Sequence, residues 1–338
     1  MRIAFLTYAY GLQEFGTGKF SWNLKKALES LGVSVDIFTT NFRVLNLGPL
    51  LLMANNAVLD FRKYDVVHSN EGAGFLVTHP NIVETYHHDY SRLGIRYSAF
   101  GLFEYYQCKR AKHVIVPSYA TKQALLRKGL DSEKVSVIYH GVSDIFTSNR
   151  LIREKTRNEY QINESFVVIS VGRLVRHKRQ IDIVKALSGI QNAVLILVGK
   201  GECLPDILDL AKKQSLRILH FESIPEPLLA ELLNASDVYV HVSEIEGFGL
   251  SVVEAMACGL PVIAYSTGDF QQIIAKDLGF LLRQGDRAAL RDSILFLINN
   301  PDVRDRLGAR AISKASEFNW NKAALRHLEL YRSITMCE

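Results

Sequence analysis

Short apolar runs rich in β-branched residues alternate along the chain with longer segments of helical period. In the first half the runs fall at residues 3–9, 33–40, 65–69, 81–86, 113–117 and 135–140. In the second half they fall at 166–171, 193–198, 217–221, 238–242, 261–265 and 279–282. Helical patterns such as 19–31 and 119–128 lie between them. Strand and helix alternating in this way predict an α/β fold with parallel sheets wrapped by helices. The runs are nearly continuous in apolar residues, as expected for strands buried on both faces. The alternation also restarts. Residues 144–165 are polar and charged, with Ser148, Asn149, Arg150, Arg153, Glu154, Lys155 and Arg157, and read as a linker before a new strand at Phe166. A chain of 338 residues is long enough for two cores. The expectation is two Rossmann-like domains, 1–160 and 161–318. In doubly wound sheets ligands bind beyond the carboxyl ends of the strands, and two such domains facing each other place the ligand in a central cleft.

Composition narrows the function classes. Apolar residues at 48% and charged residues at 22% are ordinary for a soluble globular protein. The longest oily patch, residues 47–54, contains Gly48 and Pro49 and is far short of a membrane span. Residues 1–10 run into glycine-containing sequence without a small-residue cleavage site, so they read as a first strand and not as a signal peptide. Cys108, Cys203, Cys258 and Cys337 are widely spaced, which argues against a disulfide framework or a zinc site and for a cytoplasmic location. The spacing of His68, His79, His87 and His88 fits no metal cage, so no metal is expected. Residues 1–160 carry 20 Lys and Arg against 14 Asp and Glu, whereas 161–338 carry 20 against 21. The basic first half suits nucleic acid, an anionic membrane or a phosphorylated substrate, and a slightly basic solvated surface accounts for it at least as well. No nucleic-acid partner is expected.

The most informative segment runs from Glu246 through Gly247, Phe248, Gly249, Leu250 and Ser251 to Glu254. It follows a strand, turns at two glycines and enters a helix near Leu250. Glycines let backbone come close to a ligand, and free N–H groups at a helix start suit phosphate oxygens. Glu246 in the turn can accept bonds from sugar hydroxyls, and Glu254, one turn into the helix, can reach a ribose diol. Acidic residues favoured by the helix dipole explain the same pattern without a ligand.

This segment resembles the Glu-x7-Glu motif of the retaining glycosyltransferases of family 4, which have the GT-B fold. Gly172-Arg173 with Lys178 resembles that family's phosphate-binding segment, and Gly199-Lys200-Gly201 its next strand-end turn. Val116-Pro117-Ser118 and the stretch from Val137 to Asp144 resemble the end of its first domain. Phe318-Asn319-Trp320 through Tyr331 resembles its closing helix, so residues 319–338 are expected to pack back on the first domain. The likeness spans almost the whole chain, in order.

The resemblance implies a metal-independent hexosyltransferase that uses a nucleotide-sugar donor, UDP- or GDP-linked, as substrate and needs no cofactor. The acceptor is a glycan or a lipid-linked molecule. Arg173 and Lys178, two cations near a strand end, clamp the diphosphate and neutralise the leaving group. Glu246 contacts the donor sugar and Glu254 the ribose. His88, followed by Asp89, lies near the reacting sugar, and Gly16 and Gly18 line the first strand–helix turn. Phe248, Gly249, Leu250 and Ser251 complete the donor site. The reaction implied is a front-side displacement in which the diphosphate takes the acceptor's proton.

Two positions depart from the family pattern. Gly268-Asp269-Phe270-Gln271-Gln272 lacks the usual glutamate, and His140 replaces an asparagine before Gly141. No Asp-x-Asp occurs in the chain, so the metal-binding signature of the other major glycosyltransferase fold is missing. Residues 90–112 mix aromatics with cations. They suit peripheral contact with an anionic membrane, or a helix whose aromatic face packs inward while its cations are solvated, and the second reading is preferred. Two rival functions share the architecture: a nucleotide-sugar 2-epimerase and a non-catalytic sugar-nucleotide-binding protein.

Overall fold

The computed structural model describes residues 1–11, 16–39, 58–87, 95–274 and 278–336, and of residues 95–100 it describes the backbone alone. The chain forms two compact units, Met1–Gly141 with Asn319–Glu338, and Val142–Phe318.

In the first unit six strands are described: β1 (Arg2–Leu6), β2 (Ser34–Phe38), β3 (Val66–Asn70), β4 (Ile82–Thr85), β5 (His113–Val116) and β6 (Val135–Val137). Their order is β2-β1-β3-β4-β5-β6, parallel throughout. Strand periodicity divides β1 between two cores. Ile3 and Phe5 pack with Phe20, Leu24, Trp320 and Leu328, whereas Ala4 and Leu6 pack with Val67, Cys108 and Leu125. The helix Thr17–Ser30 turns Phe20, Leu24, Ala27 and Leu28 inward at helical spacing. The closing helix Trp320–Thr335 packs in the same core as that helix. Asn319 caps it by accepting from the Asn321 and Lys322 amides. Close packing at its start requires glycine at 141, because a Cβ there would lie 2.2 Å from the Trp320 nitrogen. His140 is buried with its ring 4.6 Å from that of Phe20 and stacked on Trp320, so the residue that departs from the family pattern serves as core.

Over residues 101–110, where side chains are described, the helix Ile95–Arg110 fits the preferred reading of residues 90–112 only in part: Tyr105 packs against the core, but Phe103 and Tyr106 do not. Its buried face carries Glu104, Gln107 and Cys108, while Leu102, Phe103 and Tyr106 are exposed. The Phe75 ring lies 5.2 Å from Phe103 and 5.7 Å from Tyr106. Lys109 and Arg110 end this exposed aromatic face.

In the second unit the described strands are β7 (Phe166–Val171), β8 (Ala193–Val198), β9 (Arg217–Phe221), β10 (Val238–His241), β11 (Val262–Tyr265) and β12 (Gly279–Leu282). Their order is β12-β11-β10-β7-β8-β9, again parallel. The order reverses direction between β7 and β10, the Rossmann arrangement. Val168, Leu195, Val240 and Ile263 form the centre of its core.

The boundary falls after Gly141 and not at 160, and the expected linker is part of the second unit. Residues Arg150–Glu159 form a helix, capped by Asn149 on the Ile152 amide at 3.1 Å. Two of its charges face inward. Arg153 and Arg157 pair with Asp237 at 2.6 and 3.3 Å, and Asp237 also accepts from the Val167 amide at 2.7 Å. Arg157 further donates to the carbonyl oxygens of Ala235 and Asn163. Asp237 lies at the entrance to β10 and Val167 in β7, so this cluster bolts the helix to the sheet. Removing one partner of a buried ion pair strands the other charge, at a cost of about 3–5 kcal/mol. Asp237→Ala is therefore expected to lower the stability of the second unit by about that amount. Urea denaturation checks this, and an unchanged midpoint would show that the cluster is not structural.

Candidate active site

The reversal between β7 and β10 sends the two following segments apart and leaves the ends of both strands open. Beyond β7 come Gly172, Arg173 and a short 3-10 helix, Arg176–Lys178. Beyond β10 the chain passes through Glu244 and Glu246 to the helix Leu250–Ala257. The two segments are joined where the Glu244 amide donates to the His177 carbonyl at 2.8 Å. The β7 segment is also held from its other side. Gly172 and Leu174 donate to the Val198 and Lys200 carbonyls, each at 2.9 Å. Here the glycines of Gly199-Lys200-Gly201 serve close packing. A Cβ at Gly199 would lie 2.0 Å from the Gly172 carbonyl oxygen, and one at Gly201 would lie 2.2 Å from that of Leu174.

This frame brings Lys178 and Glu246 together. Lys178 Nζ lies 2.6 Å from Glu246 Oε2, and both side chains are mostly buried. His241, the last residue of β10, reaches the same oxygen with Nε2 at 2.8 Å. Burial on its own raises the Glu246 carboxyl, but Lys178 and His241 overcome it and hold the group well below the usual carboxylate range. His241 is held below the ordinary histidine value, first by burial, although Glu246 opposes this. His177 is shifted down as well, by burial and then by Lys178 and Arg173. At neutral pH the cluster is therefore a carboxylate, an ammonium and neutral imidazoles. Arg173 extends from the same strand end, is exposed, and forms no ion pair among the described residues.

The turn into the helix Leu250–Ala257 presents backbone. Gly249 caps the helix at φ 81°, where side chains are strained, and a Cβ would lie 2.6 Å from the Phe270 ring. The cap brings no side-chain oxygen, so none competes for the N–H groups of the first turn. Ser251, in that turn, accepts from Tyr239 Oη at 2.8 Å. Glu254 is buried one turn further on. The Phe248 ring is buried against Phe318 at 5.5 Å and so packs as core, leaving its backbone as the part that can face a ligand. Gly16 and Gly18 sit at the start of the helix Thr17–Ser30 in the first unit. His88 lies outside the described residues.

Three partners were not anticipated from sequence. His241 ends an apolar strand, and a histidine at a strand's carboxyl end was the available signal. Tyr239, two residues earlier, shares its face. Arg179 bridges Glu244 at 2.6 Å and Asp182 at 2.8 Å, stiffening the loops behind Lys178. Among the described residues no group of three or more His, Cys, Asp or Glu side chains could hold a metal ion.

Residues 152–314 match the family model of the Glycosyl transferases group 1, and residues 41–144 match that of Glycosyltransferase Family 4. The chain belongs to the group 1 glycosyltransferases. It is 32% identical over 186 residues to the N-acetyl-alpha-D-glucosaminyl L-malate synthase of Bacillus anthracis. That alignment covers 53% of this chain and 48% of the synthase, so it spans about half of the relative's length. Sucrose-phosphate synthase from Thermosynechococcus elongatus superposes with a TM-score of 0.86 at 22% identity, over 100% of both chains. Anabaena HepE in complex with UDP-glucose gives 0.81 at 22% identity, over 98% of this chain and 100% of that one. At such identities the structural likeness is one of fold. This glycosyltransferase has the GT-B type of fold, built from two Rossmann-like units.

Proposed function

We propose that this glycosyltransferase is a retaining, metal-independent hexosyltransferase that uses a UDP- or GDP-sugar and binds it on the second unit at the ends of β7 and β10. The observation that carries the reading is the Glu246 carboxylate. Oε2 takes both Lys178 and His241, and no described residue bonds Oε1. A carboxylate tied by one oxygen and open at the other suits the hydroxyls of a sugar. Arg173, exposed and without an ion pair among the described residues, and the uncapped helix start at Gly249 supply positive charge and N–H groups for a diphosphate. The HepE complex with UDP-glucose supports a nucleotide-sugar donor by fold analogy.

In this reading the bond between the anomeric carbon and the diphosphate oxygen breaks while the acceptor hydroxyl attacks from the same face, and the diphosphate accepts the acceptor's proton. Arg173 and Lys178 neutralise the charge developing on the leaving group, the task a divalent ion performs in metal-dependent transferases. Glu246 orients the sugar and Glu254 holds the ribose. The exposed Leu102, Phe103 and Tyr106, edged by Lys109 and Arg110, favour a lipid-linked acceptor met at an anionic membrane surface. Flotation with phosphatidylglycerol vesicles checks that contact, and a Phe103→Asp chain that floats as well as the parent argues against it.

Contacts made mainly in the transition state affect turnover, whereas contacts of equal strength throughout affect binding. Glu246→Gln is therefore expected to depress kcat strongly while UDP or GDP still binds. Glu254→Gln is expected mainly to raise the donor KM and weaken the free nucleotide. Steady-state kinetics with calorimetry separates the two, and the reverse pattern would exchange the assignments. Product analysis by NMR in the presence of EDTA tests the chemistry. Retained anomeric configuration and undiminished turnover are expected, and inversion, or activity restored only by added magnesium or manganese, contradicts the reading.

A further inference from the structure

We propose that His241 is a positioning residue for the reaction: its Nε2–H holds Oε2 of Glu246 so that Oε1 stays presented to the donor sugar. The inference rests on the donor reading above and adds to it a residue that contacts no substrate.

The ring of His241 is held so that it cannot turn. His241 is buried, with a side-chain exposure of 6%. Tyr239 stacks on one side at 6.1 Å and 17°, and Phe270 meets it edge-on at 5.2 Å and 86°. Phe270 belongs to the segment that departs from the family pattern, and it also abuts Gly249. The aromatic pair and the strand end therefore fix the direction in which Nε2 points.

The hydrogen bonds also fix the tautomer. An ionised carboxylate only accepts, so the 2.8 Å contact between Nε2 and Oε2 requires the proton on Nε2. A neutral ring then has a bare Nδ1, which faces Tyr239 Oη at 3.5 Å. Tyr239 in turn spends its hydroxyl proton on Ser251 Oγ at the shorter distance of 2.8 Å. The Val171 carbonyl, at 3.4 Å, is a second and longer acceptor for that hydroxyl, so neither contact of Tyr239 asks for a proton on Nδ1.

Lys178 has two demands on its charge. The same ammonium is assigned to Glu246 and to a donor diphosphate. When it is drawn toward phosphate oxygens, Glu246 keeps a donor only if His241 supplies one. A lysine is a flexible point charge, whereas this imidazole is clamped, so the geometry of Oε1 depends on the histidine.

Two readouts decide the matter, and the first needs no donor. Imidazole nitrogen shifts of the folded chain at pH 7 are expected to show His241 protonated at Nε2 and bare at Nδ1. The opposite tautomer, or a charged ring, overturns the inference whatever the protein catalyses. The second uses UDP-glucose as probe, with UDP release and UDP affinity measured in parallel. His241→Leu is expected to lower kcat on the order of 10- to 100-fold, the usual cost of a lost supporting contact, with UDP affinity within about twofold. His241→Gln, whose amide can replace Nε2–H, is expected to recover most of the turnover. Undiminished turnover in His241→Leu overturns the positioning role. Equal loss in both variants overturns it as well, since it would mean that the ring serves as packing alone. A parent chain that neither binds UDP nor consumes UDP-glucose counts against that donor, and the tautomer then still judges the contact between His241 and Glu246.

Discussion

A carboxylate withdrawn from water at the end of a parallel sheet needs partners supplied by the fold, and Glu246 has two of them on one oxygen. Burial alone would protonate it; the ammonium of Lys178 and the N–H of His241 keep it ionised. Neither partner is near it by accident of sequence. Lys178 reaches it from beyond β7 and His241 from the tip of β10, and these strands are neighbours only because the strand order reverses there. The site thus depends on the sheet topology, and the topology is visible in the register of Val168 with Val238. A Rossmann sheet opens at this point, and here the opening is fitted with one anchored acid, one exposed arginine and one uncapped helix start.

The same rule governs the other charges that the second unit buries. Asp237 is closed in by Arg153, Arg157 and the Val167 amide. Asp182 is closed in by Arg179 and the Tyr265 hydroxyl. Each cluster lies at a strand or helix end, where backbone donors and acceptors are unspent and the desolvation cost of a charge can be offset. The clusters do different mechanical work. Asp237 ties the helix Arg150–Glu159 to the entrance of the sheet, and Asp182 with Arg179 steadies the loop that carries Lys178. In the first unit His68, His140 and His327 are all shifted down, first by burial; His140 and His327 pack against Phe20, and His68 against Phe5 and Tyr331.

Much of this was legible in the sequence. The strands fell within a few residues of their expected places, because a continuous apolar run bounded by turn residues marks a strand buried on both faces wherever it sits. Glu246, Gly249 and Glu254 could be picked out because a glycine turn between a strand and a helix is a local pattern. The reading failed where the decisive neighbour is far along the chain. Arg153 and Arg157 resembled solvated linker charges because Asp237, about 80 residues away, is not in view from a polar stretch. The helix Ile95–Arg110 was expected to turn its aromatics inward; over residues 101–110 Tyr105 does so, yet Glu104 and Gln107 are buried and Phe103 and Tyr106 face out.

The sequence by itself determined that the chain alternates strand and helix in two series, that a glycine turn leads into the helix carrying Glu254, and that cations follow the strand at 166–171. These are local properties, set by side-chain period, turn chemistry and backbone freedom over a few residues. Only the tertiary structure decided that Lys178 and His241 meet on one oxygen of Glu246, that Arg173 forms no ion pair among the described residues, and where the first unit ends. Those outcomes depend on which segments are brought together and how much water is removed between them, and charge pairing under burial has no signature in the order of residues along the chain.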